Sequence, residues 1–518
     1  MSLSSVVAVA SPLALATQVG QQAADDGGNA IDAALATAAV LTVAYPHNCS
    51  VGGDLIALIR EPNGSRTVIN ASGRAPMAAD VHAVRREHEQ MPLTGPHAVT
   101  VPGIVSGWDA LYRRGSNLPW ARLLEPAMLA AQDGVAVVPG LADALDWDQQ
   151  AILGIPELRE VFAPDGAVLP TGAPLTQPAL AQTLERLMHG GAAEMYSGIV
   201  AKQLVDGVNQ LGLPLTTADL AAHTVTEEAP LTTTVDGWTV ATAAPNSQGF
   251  ALLRLLAMLA LASDGANTAL IDRVPLAALA HAFARTADER DSLLADPASM
   301  SVRVDGLLSA ESLEELLRTS MDGWPPTTSR ESTRPNGDTV AIVTADSEGR
   351  SVSLIQSTYH SFGSRILEPT TGVILHNRGG CFSLDPTSPN VLAPRKRPAH
   401  TLTPVLAERA DERLVVGTMG GEMQPQILTQ VLSRLLSGDS AQHAVSAPRW
   451  TVGAWDRGQP VDQINAESDV DEGVRAAIEQ WPGAVNWMPS RSGEAGHSQA
   501  IRVTRDKFDV GTDPRADA

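Results

Sequence analysis

Asp338-Thr339-Val340-Ala341-Ile342-Val343-Thr344-Ala345-Asp346 is rich in β-branched residues and reads as one strand. It follows Gly323-Trp324-Pro325-Pro326-Thr327-Thr328-Ser329-Arg330-Glu331-Ser332-Thr333-Arg334-Pro335-Asn336-Gly337, a polar, Pro-containing run with the composition of a loop. A cut before Thr339 would turn the strand into a new chain start. A threonine there carries both a hydroxyl nucleophile and a free α-amine, so one residue supplies attacker and base. From this strand alone, an Asp-Thr pair that merely follows a surface loop fits equally well.

Working outward, Asp346-Ser347-Glu348-Gly349 can turn this strand into the next, Ser351 to Ser357. Toward the N-terminus, residues 12–43 read as two helices broken at Asp25-Asp26-Gly27-Gly28-Asn29, with Asn29 as a cap and Ala-rich faces suited to packing on a sheet. The loop Pro46-His47-Asn48-Cys49-Ser50-Val51-Gly52-Gly53-Asp54 leads into a hairpin of Leu55–Ile59 and Val68–Asn70, with Arg74 just beyond. Residues from about 104 to 320 show mostly helical periodicity, interrupted by a strand signal at Leu231–Ala241. Segregated helices and strands predict an α+β fold or a layered sandwich. Met1–Ala10 reads as a first strand, since it lacks a basic region of the signal-peptide kind. The Asp/Arg/Ala tail after Phe508 is expected to fray.

Composition narrows the function. A net charge of −22 argues against nucleic acid or an anionic membrane as partner. No stretch has the apolar length of a membrane span. Two cysteines, Cys49 and Cys381, exclude a disulfide framework and a thiolate-rich metal site, which fits a reducing cytoplasm. The 12 histidines form no ligand pair, so neither a catalytic metal nor a cofactor is expected. The serine-hydrolase elbow, the phosphate-binding loop and the dinucleotide fingerprint are all missing from the sequence.

An ordered series of motifs spans nearly the whole chain: Gly27-Gly28-Asn29-Ala30-Ile31-Asp32, Val51-Gly52-Gly53, Gly73-Arg74-Ala75-Pro76, Val101-Pro102-Gly103, Met195-Tyr196-Ser197-Gly198, Gly337-Asp338-Thr339, Gly372-Val373-Ile374-Leu375-His376-Asn377, Gly417-Thr418-Met419-Gly420-Gly421 and Ala447-Pro448-Arg449-Trp450. In this the chain resembles the γ-glutamyltransferase family of N-terminal-nucleophile hydrolases. The resemblance implies a four-layer αββα sandwich made as a precursor that cuts itself between Asp338 and Thr339. A large subunit, 1–338, would carry a cleavable loop at about 321–338. It would stay associated with a small subunit, 339–518, in one catalytic unit, with further dimerisation left open. The resemblance also assigns Thr339 as nucleophile, the N–H groups of Gly420-Gly421 as oxyanion hole, Ser357 as a contact of the Thr339 amine, and Arg74, His400 and Thr401 as the anchor of a substrate carboxylate. Arg74 has an alternative as the partner of an acidic residue of this chain.

Three departures bear on the substrate. Where transpeptidases of the family carry an asparagine, a glutamine and an aspartate that contact the α-amino end of the substrate or the nucleophile, this sequence has Tyr359, Arg378 and Cys381. An ammonium group would meet a cation there, which disfavours a γ-glutamyl substrate and suits a small acid without an α-amine. The alternative is that Glu422 or Asp385 neutralises Arg378. Cys381 reads as a buried small residue, not a nucleophile, and His47 and His360 as structural. The implied activity is hydrolysis of an amide or acyl bond in a small carboxylate-bearing substrate. Oxamate amidohydrolases, glutaryl-cephalosporin acylases and C–C hydrolases of secondary metabolism stay open as variants. A silent relative kept as a binding protein is the alternative of another class.

Overall fold

The strand Asp338–Asp346 lies second in a six-stranded sheet ordered Val7–Ala10, Asp338–Asp346, Ser351–Tyr359, Asp54–Arg60, Arg66–Asn70, Thr226–Glu228, antiparallel throughout. The architecture is that of a computed structural model, which describes residues 6–262, 269–323, 337–455, 458–505 and 507–517. Most of the expected cleavable loop, 324–336, lies outside the described residues.

Period-2 alternation explains why this strand is apolar on both faces. Val340 and Ile342 enter one core with Val352, Leu354 and the helical hairpin, while Ala341, Val343 and Ala345 enter another that faces a second sheet. Each branched side chain so buried contributes roughly 1.5–3 kcal/mol. The second sheet is also six-stranded and antiparallel: Lys507–Thr512, Ser498–Thr504, Glu412–Thr418, Val405–Arg409, Trp238–Thr242, Leu231–Val235. Helices Gly249–Leu261 and Gln424–Leu436 pack on its outer face. The helices Ala14–Asp25 and Ala30–Ala44 cover the first sheet. The order is thus helix, sheet, sheet, helix, the four-layer sandwich that the resemblance implies.

The turn between those two covering helices is specified locally. Asn29 Oδ1 accepts from the N–H groups of Ile31 and Asp32, and the Asp32 carboxylate accepts from Asn29 N at 2.8 Å, a reciprocal capping box. All 15 residues of Ala30–Ala44 are buried, and their small side chains let the helix lie close to the sheet.

Two expectations need correction. Leu231–Ala241 is not one strand but a hairpin that turns at Asp236-Gly237, where both residues have positive φ. The tail after Phe508 does not fray: Lys507–Thr512 is an edge strand, and Asp513 and Arg515 are buried in an ionic network with Arg449 and Glu467. Composition reports only the charge of such a segment, whereas its order comes from partners more than 40 residues away. Among the described residues, no helix is long and apolar enough to cross a membrane.

Candidate active site

Thr339 is the second residue of its strand and is 1% exposed. Its hydroxyl lies 2.5 Å from the carbonyl oxygen of Asp338 and 3.2 Å from Ser357 Oγ. Ser357 donates to the same Asp338 carbonyl at 2.6 Å and accepts from Tyr359 N at 2.7 Å. The bond before Thr339 therefore has a hydroxyl beside its carbonyl and a second hydroxyl polarising its oxygen. Both groups owe their positions to an irregularity: pairing between the two strands shifts register between Gln356 and Tyr359, and Tyr359 has a φ of 80°. Bulges of this kind re-aim side chains at the cost of local strain. Burial and the nearby Asp148 push the Asp338 carboxyl up to about 6.

Gly420 and Gly421 sit in the turn between strand Glu412–Thr418 and helix Gln424–Leu436. Gly420 has a φ of 135°, and a Cβ there would lie 2.5 Å from Ile427 Cδ1. Both the conformation and the close approach call for glycine. Gln248 holds this turn against the pocket wall, donating to Gly421 O at 2.9 Å and Thr401 O at 2.8 Å. The next residue, Glu422, accepts from the Tyr359 hydroxyl at 2.7 Å. That contact ties the glycine turn to the bulge bearing Ser357.

Beside it, the Arg378 guanidinium stacks on the Tyr359 ring, 3.9 Å from the centroid. Its Nη1 donates to Thr401 Oγ1 at 3.2 Å and lies 3.5 Å from Cys381 Sγ. The side chain is 1% exposed, yet Nε and Nη2 have no hydrogen-bond partner among the described residues. Among the described residues neither Glu422 nor Asp385 forms a direct ion pair with it; Glu422 instead accepts from the Tyr359 hydroxyl under the stacked guanidinium. A buried cation with two unused donors costs several kcal/mol unless an anion meets it.

His400 does not donate into this pocket. Its Nε2 lies 3.2 Å from Asp54 Oδ2, and burial, then the charge of Arg378, pull the imidazole down to about 3, so it is neutral. Cys381 is buried, as expected. His47 is buried and neutral, lowered to about 3 chiefly by desolvation, and His360 is held by Asn377, whose Oδ1 accepts from His360 N at 3.1 Å. Arg74 lies apart. It donates to Asp296 at 3.1 Å and to Arg395 O at 2.9 Å, with a side chain 40% exposed, which is the acidic-partner alternative. The structure thus gathers Thr339, Ser357, Tyr359, Arg378, Cys381, Thr401 and the glycine turn, and keeps Arg74 on an ion pair of its own. Sequence reasoning passed over Gln248 and Asp54. Asp54 carried a signal, a carboxylate straight after Gly52-Gly53 in an otherwise apolar segment.

The chain is similar to known proteins over nearly its whole length. The gamma-glutamyltranspeptidase family model matches residues 16–518. An oxamate amidohydrolase proenzyme of Klebsiella pneumoniae is 36% identical, with 98% of this chain and 96% of that one covered. A glutathione hydrolase-like proenzyme of Bacillus subtilis is 33% identical over 98% of this chain and 97% of its own. Among solved structures, a cephalosporin acylase from Bacillus halodurans superposes with a TM-score of 0.86 at 32% identity, covering 100% of this chain and 96% of that chain. With this fold, a match over nearly its whole length and relatives of that kind, the chain belongs to the γ-glutamyltranspeptidase family and is an N-terminal-nucleophile hydrolase of amide bonds.

Proposed function

We propose that this hydrolase matures by cutting itself before Thr339 and then cleaves the amide of a small acid that lacks an α-amine, with a monoamide of the oxamate type as the substrate class. In maturation the Thr339 hydroxyl attacks the Asp338 carbonyl carbon and the C–N bond breaks. The nitrogen takes up the proton, and water hydrolyses the resulting ester to leave an Asp338 carboxylate and a free Thr339 amine. That amine, with a reference pKa of about 7.7 to 8.0, then accepts the Oγ proton as Oγ attacks the substrate amide. The N–H groups of Gly420 and Gly421 take the oxyanion. Ammonia or an amine leaves with the proton, and water releases the acid from Thr339.

The observation that carries the substrate class is Arg378, buried beside Thr401 with Nε and Nη2 unpartnered among the described residues. In oxamate the carboxylate is bonded directly to the amide carbonyl, so on this reading the Arg378 guanidinium grips it beside the reacting carbon. A substrate ammonium there would face like charge. The Klebsiella relative, named for oxamate, supports the same class.

Processed protein assayed against oxamate, glutaryl-p-nitroanilide and γ-glutamyl-p-nitroanilide tests the reading. Oxamate turnover with little or none of the γ-glutamyl compound is expected, and preference for the γ-glutamyl compound would overturn it. The glutaryl arm separates an acylase of longer acids. A C–C hydrolase would share nucleophile and oxyanion hole but spare all three amides, and a silent binding protein would not mature.

A further inference from the structure

Below the pocket lies a buried carboxylate to which the proposed reaction assigns no part. Asp54 opens the strand Asp54–Arg60, pairs with Ser357 across the sheet and is 0% exposed. Its Oδ1 accepts from Gly73 N at 3.1 Å. Its Oδ2 lies 3.3 Å from His376 Nδ1 and 3.2 Å from His400 Nε2. Burial alone would raise this carboxyl, but His376, followed by His400, holds it well below the usual carboxylate range.

The three partners come from three separate loops. His376 stands two residues before Arg378, His400 immediately before Thr401, and Gly73 immediately before Arg74. Each imidazole is pinned on its far side as well. His376 Nε2 is 2.9 Å from Thr100 O, and His400 Nδ1 accepts from Leu402 N at 3.4 Å. A carboxylate taken out of water costs several kcal/mol before its partners offset that, and well-packed apolar residues would hold a core at no such cost. What an anion adds is direction: it fixes hydrogen-bond donors on separate segments relative to one another.

We propose that Asp54 is a positioning residue for the acid-binding pocket, setting the segments that carry Arg378 and Thr401 in register so that the unused Arg378 donors meet the substrate carboxylate. This rests on the reading of Arg378 given above. Asp54 touches neither Thr339 nor the oxyanion turn among the described contacts, so its effect belongs in substrate binding and not in the chemical step.

The test is a double-mutant cycle on processed enzyme with oxamate as substrate, using Asp54→Asn, Arg378→Leu and the pair. Asp54→Asn is expected to mature normally and to raise KM about tenfold while kcat changes less than about threefold. In the Arg378→Leu background the same change is expected to move KM less than about twofold, because Asp54 acts through Arg378. An equal KM effect in both backgrounds, or a loss confined to kcat and melting temperature, would overturn the proposal and leave the Arg378 reading standing. No KM effect of Arg378→Leu by itself would overturn both. Should Asp54→Asn fail to mature, His400→Leu and His400→Gln carry the same cycle, since the Gln amide can still donate toward Asp54 and Leu cannot. The larger KM is expected for Leu, and equal values for the two would overturn the proposal.

Discussion

The corner around Thr339 and the pocket around Arg378 are neighbours built on opposite principles. At the Thr339 corner hydrogen bonding is closed: Thr339, Ser357, the Asp338 carbonyl and Tyr359 N satisfy one another within 3.2 Å. In the pocket it is left open, with a buried guanidinium that has two donors without a partner among the described residues. The first arrangement is complete without a substrate, which suits the proposed self-cleavage, in which the substrate would be the chain itself. On the proposed reading, the second would be completed by the carboxylate of the substrate. The corner therefore speaks to reaction type, and the pocket to substrate class.

Breaking the corner is expected to have the largest effect. Thr339→Ala should remove maturation and turnover together, a loss of at least about 10³-fold, seen as a single unprocessed band and no oxamate hydrolysis. Processing that persists would move the nucleophile elsewhere. Arg378→Leu should leave maturation intact and weaken capture of the acid substrate by about 30-fold or more, the 2–5 kcal/mol scale of a buried charge contact. Steady-state KM and kcat on oxamate check this, and delayed maturation would show that the corner and the pocket are not separable. Ser357→Ala should slow maturation about 10-fold, since the Asp338 carbonyl loses one donor worth roughly 1–2 kcal/mol. The measurement is the rate of band splitting after synthesis in vitro.

The smallest effect concerns pH. Asp338 has a raised carboxyl pKa in the folded precursor, so the stability it contributes is fully present below about 3.8 and is lost as pH rises through about 6. In the uncleaved Thr339→Ala protein, adding Asp338→Asn should flatten the fall in melting temperature across that window by about 1–3 °C. Parallel curves would mean that Asp338 does not carry the slope.

Much of the fold was legible in the sequence because it is written locally. The Asn29 cap, the alternation along Asp338–Asp346 and the turn at Asp346-Gly349 all fall within a few neighbouring residues. The candidate site was legible only where a motif holds both chemistry and position, as at Gly337-Asp338-Thr339 and Gly420-Gly421. What the sequence hid depends on partners far along the chain. Arg74 meets Asp296 across 222 residues, His400 meets Asp54 across 346, and Tyr359 meets Glu422 across 63. A formal charge in a sequence does not say which opposite charge it will find. For that reason the sequence left Arg74 between a substrate anchor and the partner of an acidic residue, and the Asp513 and Arg515 tail read as frayed although it is buried.

The central claim is that Thr339 becomes a chain start. Purified wild-type protein, resolved on a denaturing gel and sequenced from the N-terminus of its smaller fragment, tests this most directly. The account predicts that the 54.2 kDa chain splits into fragments of about 35 and 19 kDa, the smaller beginning Thr339-Val340-Ala341. A single 54.2 kDa band with active enzyme, or a fragment that begins at any other residue, would contradict it.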